Sequence, residues 1–474
     1  MFRVIWQYGI DVLGPLNSEA LNITPMESHA GVSPFADIVT IGAAEPVFSR
    51  SPITLRSELL AMPAAYQADP ANDLAGYHHV FVPTREAAET LRNRLMGDAN
   101  VVYAEIQGEL QPPFIIDESR RTLAAKPRLE SLTLYPVATQ NFIQHQVYLN
   151  SAPDGIDAHY AWPKLGGKGM GIKIIDIEFG WNFDHEDLRL RQTGVIHGDN
   201  TNHDHGTAVL GIFSGDENGF GIQGISSDAM VSAASAVYDF NHRRWNAANA
   251  IKTAADRLTA GDIILLEMHA PGPNASNSGQ NQGGYIAVEY WQDDFSAIQY
   301  AVQRGIHVVE AAGNGGEDLD DPIYGNLFSR SLRDSGAILV GGGGSALRDD
   351  ARSRMGWSNY GSRLDVQGWG EDIVTTGGRS APSYYDLVDH PDGSRCYTQS
   401  FGGTSGASPI VVGAIAIIGG MLKAAKRPPL SPRDMRNLLV QTGTPQTGSA
   451  TSPVSQHIGP LPDIRKAIEV LGLS

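Results

Sequence analysis

Four short segments of this chain carry residue types that could together break an amide bond. In GIKIIDIEFG, Asp176 directly follows an apolar run, at a loop mouth beside a dry core. In HDHGTAVLGIF, His205 precedes Gly206 and Thr207 and an apolar helical stretch, so its ring belongs at a helix N-terminus. In FGGTSGASPIVVGAIAII, Ser405 follows two glycines and a threonine and opens a long apolar helix. In VVEAAGNGG, Asn314 lies just past a strand between glycines. Amide hydrolysis needs a nucleophile, a base to take its proton, and an acid that fixes the base's tautomer. Ser405, His205 and Asp176 can fill those roles. The Asn314 amide and the Ser405 N–H, at a helix N-terminus, can stabilise an oxyanion.

The chain order is Asp, His, Ser, which differs from the order in the chymotrypsins and the α/β-hydrolases. With G-T-S-G-A-S-P at 403–409, H-G-T at 205–207, A-A-G-N at 311–314 and H-E-D-L at 185–188, residues 145–470 resemble the subtilisin-like serine peptidases. The resemblance implies an α/β fold with a mainly parallel seven-stranded sheet flanked by helices. It also implies a serine endopeptidase whose Asp176, His205 and Ser405 form the triad, with Asn314 in the oxyanion hole and no cofactor required. Its partners would be polypeptide substrates. The substrate strand falls at Glu267, Met268 and His269, where the family often has Ser-Leu-Gly-Gly. A second departure is Asp176-Ile177-Glu178, where a small hydroxyl residue and glycine are usual. A carboxylate two residues past the aspartate would perturb the pH profile if it faces the site. The loop DENGFGI at 216–222 looks like the family's calcium loop, with Asp187 and Asn218 as ligands of a structural calcium; a plain Asn-Gly turn is the competing reading.

Two rival functions stay open. A catalytically silent, peptide-binding relative would keep the fold, and the complete set of motifs argues against it. An α/β-hydrolase esterase would need G-x-S-x-G, but position 407 is alanine. Other features have bland explanations. His203 and His205 lack a third metal ligand nearby, Cys396 has no activating neighbour, and the glycine run 341–344 reads as a tight turn without a P-loop lysine. The acidic run 317–321 reads as a solvated loop or as the border of a substrate pocket that favours basic side chains.

The elements that would hold these residues alternate between strand and helix. Apolar runs at 172–175, 230–236, 263–266, 307–312 and 337–340 suit buried parallel strands. Helical stretches are expected at 206–213, 248–259 and 296–304. The first third has another texture: a β-branched run at 38–41, a helix at 53–62, a strand at 78–82, a helix capped by Thr84, and a strand at 101–106. The organisation is therefore a small α+β unit over 1–112, a linker over 113–133 and the peptidase-like domain over 134–474. The N-terminal unit resembles the inhibitory propeptide of the same family. That implies an intramolecular inhibitor whose segment 107–114 lies in the substrate groove as a strand.

Composition sets the outer bounds. The chain has 474 residues, 42% of them hydrophobic, which is enough for a sizeable core. Its net charge of −17 gives no general attraction to nucleic acid or anionic lipid, so neither is an expected partner. One cysteine excludes an internal disulfide. The longest apolar run, 410–422, is short for a bilayer span of roughly 20 residues and reads as a core helix. No signal-peptide pattern opens the chain, which makes the cytoplasm the default expectation.

Overall fold

The computed structural model describes residues 1–9, 44–113, 138–201, 203–275 and 282–473. The run 38–41 lies outside them, as does the expected linker from 114 onward.

The N-terminal unit is a four-stranded antiparallel sheet, built from β1 (Phe2–Tyr8), β2 (Glu45–Pro46), β3 (Tyr77–Val82) and β4 (Val101–Gln107) in the order β2-β3-β1-β4. Strand alternation gives β1 two different faces. Val4 and Trp6 pack under the helix Arg85–Met96, whereas Ile5 joins the core shared with the larger domain. The Thr84 hydroxyl caps that helix by accepting from the Ala87 N–H.

The larger domain holds a seven-stranded sheet, all of whose pairings are parallel. Its strands are β5 (Lys173–Glu178), β6 (Gln192–His197), β7 (Met230–Ser235), β8 (Ile263–Leu266), β11 (His307–Ala311), β12 (Ile338–Gly343) and β13 (Val366–Trp369). A short hairpin beside it consists of β9 (His269–Pro271) and β10 (Tyr285–Ala287). The spatial order is β13-β12-β11-β8-β5-β7-β6, which puts β5 and β8 side by side near the centre.

Two helical layers cover the sheet. Ile174, Ile263, Leu265 and Val309 face the helices His203–Ser214 and Thr404–Ala424. Ile175, Ile177, Ile264 and Leu266 face Ala247–Ala255 and Gln292–Gln303. Thr404–Ala424 is long and apolar enough to cross a membrane, yet its whole apolar window is buried inside the protein, as a core helix requires.

Two sequence expectations change here. The glycines read as a tight turn instead extend β12 through Gly343. A Cβ at Gly342 would lie 2.5 Å from the Trp357 ring, so glycine here gives that ring its place on the strand. In addition, β6 and β13 carry no continuous apolar run and were not anticipated.

Candidate active site

Ser405 is the second residue of Thr404–Ala424, a helix entered through Gly403 at φ +87°, a backbone conformation that favours glycine. The Ser405 hydroxyl is buried and makes no hydrogen bond within the described residues. His205 sits in the first turn of His203–Ser214. That helix approaches the strand-end loop so closely that a Cβ on Gly206 would lie 2.4 Å from the Gly180 carbonyl oxygen. The H-G-T motif is thus a packing requirement. Thr207 adds to it, its hydroxyl accepting from the Asn182 N–H at 2.8 Å. Burial lowers the His205 imidazole to about 4, which keeps the ring neutral at ordinary pH.

The carboxylate beside His205 is not the one expected. His205 Nδ1 lies 2.6 Å from Glu178 Oε2. Asp176 Oδ2 instead accepts from the Trp181 indole N–H at 2.7 Å. The two acids stand two residues apart on β5, so both project to the side of the sheet that carries the His205 helix. Glu178 is nearer the strand end and one methylene longer. Burial pushes both carboxyls well above the usual range, and the two acids are close enough to influence each other's protonation.

Asn314 follows β11. Its Oδ1 accepts from the Thr404 N–H at 3.0 Å and the Thr404 hydroxyl at 2.9 Å, which fixes which end of the amide donates. The Nδ2 group donates to Gln282 Oε1 at 3.1 Å.

The expected substrate strand divides by role. His269 presents its backbone to the cleft as part of β9, while its ring nitrogen Nδ1 accepts from the Asn314 N–H at 3.3 Å. Met268 is buried in the core. Glu267 lies behind the site, with its Oε1 2.5 Å from Ser408 Oγ. The acidic run after Asn314 braces loops: Glu317 accepts from Asn274 at 2.7 Å and from the Tyr324 hydroxyl at 2.5 Å.

Residues 108–113 occupy the cleft. Gln111 and His269 exchange both backbone hydrogen bonds at 3.0 Å, an antiparallel strand addition. The Gln282 side-chain amide donates to the Pro112 carbonyl at 2.8 Å. The Ser405 N–H donates to the Pro113 carbonyl at 3.3 Å. Leu110 is buried in the same apolar cluster as Met268.

Asp187 and Asn218 do meet, with the Asn218 amide donating to Asp187 Oδ1 at 2.6 Å. Asp187 Oδ2 accepts from the Ile222 N–H at 2.7 Å and the Tyr397 hydroxyl at 2.9 Å. Calcium needs converging oxygen lone pairs, and these are already filled by hydrogen donors. Among the described residues no group of three or more His, Cys, Asp or Glu is arranged to hold a metal ion. In this arrangement the residues do not fit a cation.

The comparisons agree with the fold. The model of the subtilase family matches residues 169–459. Subtilisin DY of Bacillus licheniformis is 27% identical over 283 residues, covering 59% of this chain and 86% of that protein. Thermitase of Thermoactinomyces vulgaris is 28% identical over 300 residues, covering 62% and 90%. The structure of the epidermin leader peptide processing serine protease from Staphylococcus aureus aligns over 99% of this chain and 98% of its own, with a TM-score of 0.55 at 17% identity. This chain therefore belongs to the subtilase family and is a serine peptidase of subtilisin type, a hydrolase of polypeptides.

Proposed function

We infer that the chain is a serine endopeptidase held inactive by its own N-terminal unit, and that it first cuts its own Pro113–Phe114 bond. Ser405 Oγ attacks the carbonyl carbon while His205 takes the hydroxyl proton, and a carboxylate on β5 holds the ring and balances the imidazolium. The Ser405 N–H and the Asn314 amide stabilise the oxyanion. His205 then protonates the leaving amine, and water hydrolyses the acyl-enzyme by the reverse path. No metal or cofactor takes part in these steps.

The observation that carries this reading is the register of residues 111–113. Strand pairing at Gln111 and the Ser405 N–H on the Pro113 carbonyl aim that carbonyl at the nucleophile. The N-terminal unit is also clamped to the larger domain. The Trp291 indole donates to the Ile106 carbonyl at 2.9 Å, and Asn246 donates to the Val47 carbonyl at 2.6 Å.

Mass spectrometry of the full chain beside Ser405→Ala tests the reading. Wild type should yield fragments 1–113 and 114–474, and Ser405→Ala should remain whole. A folded wild type that stays whole and is not labelled by an active-serine probe would support the silent peptide-binding alternative.

A further inference from the structure

We propose that Glu178, rather than Asp176, is the positioning carboxylate of His205, and that Asp176 stands behind it as a protonated acid held by Trp181. The assignment deepens the peptidase reading above and rests on it.

The geometry is asymmetric. Glu178 Oε2 touches His205 Nδ1 at 2.6 Å, and Asp176 Oδ2 is taken by the Trp181 indole N–H at 2.7 Å. The remaining oxygens, Asp176 Oδ1 and Glu178 Oε1, receive no N–H or hydroxyl donor among the described residues. Both side chains are fully buried, and each acid influences the protonation of the other. Two carboxylates so placed cannot both ionise; a shared proton removes the repulsion and satisfies both oxygens. The proton belongs on Asp176. Burial raises both carboxyls, and geometry separates them: Glu178 is the acid in contact with His205 Nδ1, where the imidazolium formed in catalysis favours a negative charge, while Asp176 faces the neutral Trp181 indole. Asp176 then donates to Glu178, and Glu178 accepts from His205.

Other ionisable groups around the ring leave one negative charge for it. Glu267, from the end of β8, is buried and raised by burial. The single Ser408 hydroxyl proton is also in reach of the Thr404 carbonyl at 2.6 Å, so a neutral Glu267 can donate to Ser408 at 2.5 Å. His269, from β9, is lowered to about 3 by burial and by His205, and is neutral. Tyr384, from a short 3-10 turn, is neutral and faces Glu178 and Asp204. Asp204 directs its carboxylate away from the ring, toward the Ser380 N–H.

The test compares Glu178→Gln, Glu178→Asp and Asp176→Asn in the full chain, with folding checked by circular dichroism. Asparagine copies a protonated aspartate: its oxygen accepts from Trp181 and its amide donates to Glu178. Asp176→Asn should therefore cost less than about tenfold in kcat, with KM unchanged. Glu178→Gln removes the charge and should lower kcat by about 10⁴-fold with little change in KM, the size known for neutralising a triad carboxylate. Glu178→Asp should recover part of that loss. In a Ser405→Ala background, the low-field His205 Nδ1 proton resonance should persist in Asp176→Asn and vanish in Glu178→Gln. The reverse order of losses, or a loss above a hundredfold in folded Asp176→Asn, would overturn the assignment. A wild type without turnover or serine labelling would refute the peptidase reading instead, and the proton resonance would still decide between the two acids.

Discussion

Replacing Arg3 with methionine should loosen the N-terminal unit from the domain it covers. Arg3 is buried on β1, and its guanidinium lies 2.9 Å from Asp293, which is also buried. It donates further to His79 Nδ1 at 2.6 Å, Gln107 Oε1 at 3.2 Å and Asn246 Oδ1 at 3.3 Å. Methionine keeps most of the apolar stem but leaves Asp293 buried beside Asp294 without its cation. Removing one partner of a buried ion pair costs about 3–5 kcal/mol. The start of the helix Gln292–Gln303 returns only about 0.3–1 kcal/mol to nearby carboxylates, so the loss dominates. When the unit departs, Asp293 regains water, and the penalty falls on the docked state alone. At about 1.4 kcal/mol per tenfold, the processed complex should dissociate roughly two to three and a half orders of magnitude more readily. The assay is the peptidase activity that appears when the self-processed complex is diluted, fitted for its dissociation constant. Adding Asp293→Asn to Arg3→Met should recover much of the loss, because the stranded charge is gone. A weakening below fivefold, or simple additivity of the two substitutions, would refute this reasoning.

Acid should also loosen the complex, through His79. Burial, with the Arg3 guanidinium second, holds its imidazole at about 4 in the docked state; Arg3 stays beside it in the released unit, so only the burial under the larger domain is linked to docking, and that contribution is present near neutral pH and is lost as pH falls toward 4. Burial raises Asp294, which pulls the other way, so the check is a dissociation profile from pH 7 to 5 that flattens in His79→Gln relative to wild type. Asn314→Ala should reduce kcat by about 10²–10³-fold with KM nearly constant, the range measured for this donor in subtilisin itself. Steady-state kinetics on the processed enzyme would detect a uniform KM effect instead. Chelation should leave the melting temperature within about one degree, since donors fill the lone pairs of Asp187. A fall of several degrees in a metal-loaded sample would show that Asn218 turns its oxygen to a bound cation.

Local signals made the outline of this protein legible in its sequence. Apolar runs marked five of the seven strands, because central parallel strands are buried on both faces. β6 stayed hidden because it is an edge strand of half-buried residues, and β13 because its four residues include a glycine and a glutamine. Thr84, Gly97 and the spacing of Leu91 and Leu95 placed the helix Arg85–Met96, whose cap and apolar stripe are both local. The motifs at His205, Asn314 and Ser405 could be read because each couples a reactive group to a close backbone approach that only small residues permit.

Residue types and strand period also went some way toward the Asp-Ile-Glu segment: a period of two puts Asp176 and Glu178 on one face. Which of them meets His205 depends on quantities the sequence does not carry. These are the distance between the sheet and the His203–Ser214 helix, set by Gly206 against Gly180, and the reach of Trp181 back to Asp176. The register of residues 111–113 was equally undetermined, since an extended segment can slide along a groove until particular pairs stop it. Here those pairs are Gln111 with His269 and Pro113 with Ser405, separated by more than 150 residues of chain. Local chemistry is written in neighbouring residues, whereas contact between distant segments exists only once the whole core has packed.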